Sequence, residues 1–496
     1  MDLLLLSILI TILCPLTVGL VSFLLDHRKA DYFLVINLLI ILSSYFITTA
    51  LYFNRKVLFL HYILVEESSF GEFFGIIVDS LSILVGLVVI TCGFIFLVYA
   101  IDYMSPYNKI HPVHGGKGRF YGWMLLFMGS TIGFIHSSTL IQMTIFFELM
   151  SLSCWGLVSF YGSKTALRAA NKALLYTHIG AMLGLYTANA KMFQYLHDFS
   201  LLSLYSLPND LKLEIFLPVL IAALSKSAQF PFYSWLPDAM VAPTPASAFL
   251  HGAAMIEMGV YLLARIVQFS NIVSYEALLI LTIILGLTGF ICMIMYPIQR
   301  DAKRLLAYST ISESMIMYIA LSFSLLGASE GLRASMFQLA SHAYIKGLGF
   351  LTAGVFGYLY GEHSIGRVKG LINSSKIITI AWISALFGLT GIPPLAIFFS
   401  KLYIISVASE VLSPIPFILV LIMLMNSTIF FITVLKWIEE TVFKGSASSL
   451  EMKLSLPKLM KYSIITLIIL SVISPIFTYP LVERIGFYEG RTLWAK

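Results

Sequence analysis

An apolar stretch runs from residue 76 to residue 101 and reads IIVDSLSILVGLVVITCGFIFLVYAI, with Asp79 as its only charged side chain. At about 1.5 Å per residue, a helix of this length crosses a hydrocarbon core roughly 30 Å thick. Similar apolar stretches recur along the whole chain. The pattern predicts a protein that crosses a membrane many times.

The composition leads to the same class. The 496 residues are 59% hydrophobic and only 11% charged, whereas a soluble domain carries about 25% charged residues. Because lipid offers the backbone no hydrogen-bond partners, each crossing segment must satisfy its own peptide groups, and a helix does so. We therefore predict an all-α membrane protein. The net charge of +6 lies mostly in short loops, so it indicates no nucleic-acid partner.

Length and hydropathy predict about 14 transmembrane helices. The seventh contains Pro231 and Pro237, and the twelfth is too long for one straight crossing and contains Gly391, Pro393 and Pro394. We expect both to be broken helices, which membranes tolerate only where the freed backbone faces protein or a wet cavity. The predicted spans are 2–25, 32–53, 76–101, 121–136, 138–161, 166–190, 213–236, 244–269, 275–296, 304–328, 332–360, 376–411, 414–435 and 462–482.

The two broken spans each carry a Ser-Lys pair, Ser225-Lys226 and Ser400-Lys401. They lie five spans apart, and an odd offset reverses the orientation, so the pattern predicts two inverted five-helix repeats, spans 4–8 and spans 9–13. The expected organisation is 1–120 for the N-terminal spans 1–3, 121–269 for the first repeat, 275–435 for the second repeat, and 436–496 for a cytoplasmic loop and the last span.

The loops predict an orientation. Lys and Arg are about twice as numerous in and beside the loops after odd-numbered spans as on the opposite side, and the positive side of a membrane protein faces the cytoplasm. We therefore expect a multi-pass protein of the cell (or inner) membrane with both termini outside.

A set of ionisable side chains falls within the predicted spans. Each charge near the bilayer centre costs at least about 2.5–3.5 kcal/mol, so a set of this size needs a reason. Burial disfavours a lysine ammonium and a nearby carboxylate favours it, so small movements could load or unload a proton. The set predicts a polar track for ions and consists of Glu148, Lys172, His178, Lys226, His251, Glu257, Glu313, His342, Lys346 and Lys401.

Some of these residues also fit ordinary structural roles. Lys172 lies near a basic helix end and could reach the interface. His178 fits a hydrogen-bonded packing residue, and Glu313 is close enough to the start of its span to be wet. His342 and Lys346 share one helix face, which fits interhelical contacts or a relay. Beside broken helices we favour the relay.

No redox or metal motif accompanies the track. The four cysteines have no metal-ligand spacing, no CxxCH could attach haem, and no GxGxxG follows a strand. His111 and His114 form an HxxH in a loop without a carboxylate in register. We therefore expect no cofactor, no metal and no active site of the chain's own.

Several blocks carry a family resemblance. The blocks are Phe146–Leu149 (FFEL), Lys226–Met240 (KSAQFPFYSWLPDAM), Ala242–Ala253 (APTPASAFLHGA), Asp301–Ser312 (DAKRLLAYSTIS), His342–Leu348 (HAYIKGL) and Gly391–Lys401 (GIPPLAIFFSK). Together they resemble the proton-translocating, antiporter-like subunits of complex I, a family shared with Mrp-type sodium/proton antiporters and membrane-bound hydrogenases. The resemblance covers roughly residues 76–435.

The resemblance implies roles for particular residues. Glu148 would pair with Lys226, and Lys401 would face an outer half-channel. The central relay would consist of His251, His342 and Lys346. Two acids depart from the pattern: Glu257 stands where relatives carry Lys or a neutral residue, and Glu313 where they often have Gln or His.

The resemblance also implies partners and an activity. The chain would carry protons or sodium ions in the lipid bilayer, as one subunit of a redox-driven or Mrp-type complex with other membrane subunits. A scaffold subunit with an inactive channel is one alternative, which Glu257 would support. A stand-alone secondary transporter is another, and it would require a substrate-sized cavity.

Overall fold

The computed structural model describes residues 2–25, 27–55, 58–445 and 456–490. Most of these residues are helical, and nine described helical segments are long and apolar enough to cross a membrane. The helices are α1 (Leu3–Ser22), α2 (His27–Asn54), α3 (Ser80–Tyr103), α4 (Lys117–His136), α5 (Leu140–Val158), α6 (Lys164–Ala181), α7 (Thr187–Leu196), α8 (Asn209–Lys226), α9 (Trp235–Asp238), α10 (Thr244–Phe249), α11 (Ile256–Ser270), α12 (Tyr275–Ile298), α13 (Ala302–Ser322), α14 (Ser329–Tyr360), α15 (Leu371–Ser374), α16 (Lys376–Thr390), α17 (Ala396–Glu410), α18 (Pro414–Ile438) and α19 (Lys458–Val482).

Two helices form the centre of the described fold. α14 packs against α3, α10, α13, α16, α17 and α19, and almost all of its side chains from Gly331 to Leu359 are buried. Every residue of α13 except Arg304 is buried. Polar side chains on these two helices are therefore enclosed by protein.

The outer helices present apolar side chains outward. α12 exposes Ile283 and Phe290, and α18 exposes Phe417 and Ile432. Large apolar groups on a helix surface match a hydrocarbon solvent, which has no hydrogen bonds to lose. The burial pattern thus fits a core of α13 and α14 surrounded by lipid-facing helices.

A β-hairpin precedes α3, and here the prediction of an all-helical chain is wrong. Strands β1 (Phe59–Glu67) and β2 (Gly71–Asp79) pair antiparallel, with Phe59 opposite Asp79 and Glu67 opposite Gly71. Short runs rich in Ile, Val and Phe suit a strand as well as a helix, so periodicity alone does not separate them. The predicted span at residue 76 therefore begins as a strand, and the helix starts only at Ser80, where Asp79 caps it.

Both predicted helix breaks are present. α8 ends at Lys226 and regular structure resumes at Trp235, while Gly391 (φ 88°) ends α16 before α17 begins at Ala396. Side chains occupy the carbonyls that the breaks free: Trp235 Nε1 donates to the Ser225 oxygen at 3.1 Å, and Lys401 Nζ donates to the Leu389 oxygen at 3.3 Å. At each break, a freed backbone carbonyl therefore has a hydrogen-bond partner inside the protein.

Two further irregularities are π-helical turns that the sequence analysis did not predict. Met182–Tyr186 joins α6 to α7, and Leu250–Ala254 leads from α10 towards α11. Such turns occur often at functional sites because they displace side chains from the regular helical register. The second turn contains His251, one of the expected relay residues.

Candidate ion path

A polar stripe on α13 organises the site. Lys303, Leu306, Thr310 and Glu313 follow at intervals of three and four residues, so they lie along one side of the helix. The Leu306 carbonyl and the side chains of Lys303, Thr310 and Glu313 all make contacts with other helices or connecting segments. A single helix therefore touches the expected central and outer residues in turn.

The central part of the stripe holds Lys346 of α14. Its Nζ donates to Ser309 Oγ at 2.6 Å and to the Leu306 oxygen at 3.2 Å. The side chain is fully buried. Both acceptors are neutral oxygens, so among the described residues the ammonium has hydrogen bonds but no direct carboxylate partner.

The two histidines lie beside it. His251 Nδ1 is 3.3 Å from Thr310 Oγ1, and His342 Nε2 is 3.2 Å from the His251 backbone oxygen. His251 Nε2 and His342 Nδ1 are buried without a hydrogen-bond partner among the described residues. Unpaired buried nitrogens are rare in structural histidines and suit groups that exchange protons.

Glu257 comes close to the same cluster. Its Oε1 lies 3.5 Å from His342 Nε2. The side chain is fully buried, and neither oxygen accepts a side-chain hydrogen bond within the described part of the chain. Glu257, one of the two acids that depart from the expected pattern, therefore lies against His342, an expected relay residue.

The Glu313 end of the stripe is a charged pair. Lys401 Nζ lies 3.2 Å from Glu313 Oε1 and also donates to the Leu389 oxygen and to Ser427 Oγ. Gln338 Nε2 donates to Glu313 Oε2 at 2.6 Å. Glu313, for which the sequence allowed a wet location, is thus the buried partner of Lys401.

Lys226 has a different environment. Its Nζ donates to the Phe147 oxygen at 2.9 Å and to Ser151 Oγ at 2.8 Å, and it lies 3.9 Å from the centre of the Phe147 ring. Attraction between a cation and a ring face compensates part of the burial cost. Lys226 is fully buried.

The expected contact between Glu148 and Lys226 is not formed. Glu148 Oε1 instead lies 2.9 Å from His178 Nδ1 and accepts from the Tyr186 hydroxyl at 3.4 Å. Successive residues of an α-helix point about 100° apart, and Lys226 reaches the side of α5 that carries Phe147. Glu148 consequently faces α6, and His178 is its ion-pair partner as well as a packing residue.

Lys172 does not simply extend to the membrane interface. Its Nζ donates to Asp238 Oδ2 at 2.7 Å and to the Ser234 oxygen at 3.0 Å. Arg304 Nη2 lies 3.4 Å from the other Asp238 oxygen. Lys172 therefore ties α6 to the segment that follows the break in α8.

The sequence analysis missed a buried ion pair on α11. Arg265 of α11 makes a two-pronged contact with Asp79, at 2.6 Å and 2.9 Å, and its Nε donates to the Tyr261 hydroxyl at 2.7 Å. Arg265 was visible as a charge inside the span 244–269. Its partner lies far away in the sequence, so no local pattern connects the two.

The comparisons with known proteins agree with this architecture. A model of the family described as NADH:quinone oxidoreductase/Mrp antiporter, TM, matches residues 137–430. The Na(+)/H(+) antiporter subunit A1 of Staphylococcus haemolyticus is 36% identical over 347 residues, which are 67% of this chain and 42% of that protein. The chloroplastic NAD(P)H-quinone oxidoreductase subunit 5 of Malvaviscus arboreus is 34% identical over 366 residues, 68% of this chain and 49% of that protein.

The chain spans less than half the length of these two curated relatives. A solved structure of the membrane-bound sulfane sulfur reductase, an archaeal respiratory membrane complex, contains a chain with a TM-score of 0.82 and 22% identity, covering 96% of both chains. That likeness establishes the fold. The family match covers more than half of the chain and includes every expected site residue, from Glu148 to Lys401. The chain therefore belongs to the NADH:quinone oxidoreductase/Mrp antiporter transmembrane family.

Proposed function

We propose that this chain is the ion-translocating, antiporter-like subunit of a larger membrane complex, of the complex I, membrane-bound hydrogenase or Mrp type. The observation that carries the proposal is the polar stripe of α13, which contacts Lys346, His251 and Lys401 in turn. A purely structural set of ion pairs would satisfy its groups locally. Here two buried histidine nitrogens, His251 Nε2 and His342 Nδ1, have no hydrogen-bond partner among the described residues.

The transported ion is a proton or a sodium ion. Protons would pass between Lys226, the central cluster and Lys401, with each arriving charge repelling the next. Glu257 would control the centre through His342. Glu313 would hold Lys401 charged until the carboxylate or the lysine moves, because the ammonium bound to a carboxylate is favoured over the amine.

The driving signal would enter at Glu148 and His178. Their side chains are 24% and 45% exposed within helices α5 and α6, and an ion pair at membrane depth is costly against lipid. A neighbouring membrane subunit is the natural cover for this face. Movement of that neighbour would shift the pair and, through Phe147 beside Glu148, the surroundings of Lys226.

The topology completes the proposal. We infer about 14 transmembrane helices, with spans 4–8 and 9–13 as two inverted repeats and both termini outside. The two helix breaks support the repeat, because each lies next to a Ser-Lys pair and lines the protein interior. Inverted repeats with interrupted helices are typical of transport sites.

Flux measurements on the purified complex in lipid vesicles test the function. Lys346→Met and Lys401→Arg should each lower ion flux at least tenfold, because methionine carries no proton and arginine does not release one at accessible pH. Lys164→Arg, an exposed lysine at the start of α6, is the matched control and should keep the flux. Wild-type flux in the Lys346 and Lys401 variants would show that the channel is inactive and the chain a scaffold.

A further inference from the structure

The motif Asp301-Ala-Lys303-Arg304 marks a cavity that the proposed path does not use. The cavity holds about 530 Å³ and is lined by residues of α6, α9, α13 and the loop after α14, among them Arg168, Asp301 and Lys303. All of these segments border loops that follow odd-numbered predicted spans. The cavity therefore opens on the expected cytoplasmic side.

Charged side chains are prominent among the residues that line this cavity. Asp238 forms ion pairs with both Lys172 and Arg304, so a carboxylate lies between two basic side chains in the cavity wall. Burial raises the pKa of Asp301, and burial lowers the pKa of His363 to about 3, so that ring is neutral near pH 7. One water needs only about 10–15 Å³ of such space, so the volume admits many.

Lys303 lines the cavity and is almost fully buried. It is 4% exposed, and its Nζ donates to the backbone oxygens of Met240 and Ala242, both at 2.7 Å. A lysine ammonium has three N–H donors and the neutral amine has two. The same two hydrogen bonds therefore serve both forms, and the remaining position of the nitrogen carries either a proton or a lone pair.

Lys226 and Lys346 are held in the same way. Each donates to one backbone oxygen and one serine hydroxyl, with no carboxylate within ion-pair distance in the described structure. Lys401, by contrast, has three partners, one of them Glu313. In its contacts Lys303 thus matches the two fully buried lysines of the path rather than a structural ion pair.

The position of Lys303 connects the cavity to the path. It precedes Thr310 on the same stripe of α13 by seven residues, which is about 10 Å along the helix. It is close enough to His251 to interact with it electrostatically. His251 Nε2, which has no hydrogen-bond partner among the described residues, is an available acceptor.

We propose that this cavity is the cytoplasmic intake of the path and that Lys303 is its first proton carrier. A hydronium ion in the cavity gives its proton to the Lys303 amine and becomes water. The Lys303 ammonium then gives a proton to His251 Nε2 through intervening water and returns to the amine. The proposal rests on the proposed function and makes the proton, not sodium, the ion at this entrance, because an amine nitrogen takes up a proton readily but is a poor ligand for a sodium ion, which prefers oxygen.

Three variants of the complex in vesicles test the role of Lys303. Lys303→Met and Lys303→Arg should lower proton flux at least tenfold. Lys303→His should restore flux with an optimum displaced to lower pH, because imidazole titrates near 6.5. The groups that interact with residue 303 and contribute to this profile are Asp301, His111, His251 and His363. Lys164→Met is the exposed control.

The outcomes separate this proposal from the proposed function. Wild-type flux in Lys303→Arg, or equal loss in all three variants without any change in pH profile, would overturn the role of Lys303. If Lys346→Met and Lys401→Arg abolish flux while Lys303→Arg does not, only the intake is wrong. If none of these variants changes flux, the ion path itself is wrong.

Discussion

Individual lysines of this protein differ in what holds them. Lys226, Lys303 and Lys346 have two neutral oxygen acceptors each, whereas Lys401 has three partners including a carboxylate. Neutral acceptors tolerate both the ammonium and the amine, but a carboxylate strongly favours the ammonium. The contacts thus separate three lysines whose acceptors suit both the ammonium and the amine from one lysine whose carboxylate partner favours the ammonium.

The revised partner of Glu148 leads to a prediction. In double-mutant cycles, Glu148→Gln and His178→Gln should show a coupling of about 0.2–1 kcal/mol, the range for partly exposed pairs. Glu148→Gln with Lys226→Met should show a smaller coupling, because these two side chains interact electrostatically but make no direct contact. Unfolding in mixed detergent micelles measures both cycles. A larger coupling to Lys226 than to His178 would contradict the observed geometry.

At the scale of elements, α13 and the two breaks position the residues of the proposed path. α13 places polar groups at intervals of three and four residues against α14, α17 and the π-turn at His251. The breaks bring lysines into the interior: Lys226 is the last residue of α8, and Lys401 lies in α17 just after the interruption. Irregular backbone is thus concentrated where charges are buried.

Gly391 is the element-scale test. It ends α16 with φ 88°, and a Cβ added there would lie 3.1 Å from Lys401 Cδ. Gly391→Ala should lower the free energy of unfolding by at least about 1–2 kcal/mol, the cost of a left-handed conformation for an L-residue, and should reduce flux by displacing Lys401.

Gly366→Ala is the matched control for this change. No heavy atom lies within 4 Å of a Cβ built at Gly366, and its φ is not in the left-handed region. Its effect on unfolding should stay within about 0.5 kcal/mol. Thermal unfolding in detergent compares the two variants, and equal melting temperatures would show that the break does not depend on glycine.

On the scale of the whole molecule, the cavity beside Lys303 supports the alternation of the loops. Segments bordering the loops after the fifth, seventh, ninth and eleventh predicted spans meet around it. Loops that lie on one side of a membrane must be separated by an even number of crossings. The predicted spans place these four loops on one side of the membrane, and the shared cavity agrees with that placement.

Cysteine labelling measures the orientation of the chain in the membrane. Lys109→Cys and Asp210→Cys are exposed positions in loops predicted to be cytoplasmic and external, respectively. A membrane-impermeant thiol reagent added to intact cells should label position 210 and not position 109, since the positive loops face the cytoplasm. Permeabilised cells should label both. The reverse pattern in intact cells would invert the topology and place the Lys303 cavity outside.

Much of this protein follows from its sequence. The apolar runs and the low charged fraction determine a helical membrane protein, because the cost of burying charge and unpaired backbone in lipid leaves few other solutions. The prolines and Gly391 locate both breaks, because their backbone preferences are local. The same cost of burial picks out the lysines and histidines of the path.

The partners of those residues were decided only by the tertiary structure. Glu313 reaches Lys401 across 88 residues, and Lys226 reaches Ser151 across 75. Glu148 contacts His178 because the rotation of α5 about its own axis decides which neighbour each side chain meets. The hairpin before α3 and the position of Lys303 beside the cavity likewise depend on contacts between segments. The sequence shows which residues are costly to bury. Helix rotation and packing, which depend on the whole fold, decide which neighbouring groups offset that cost.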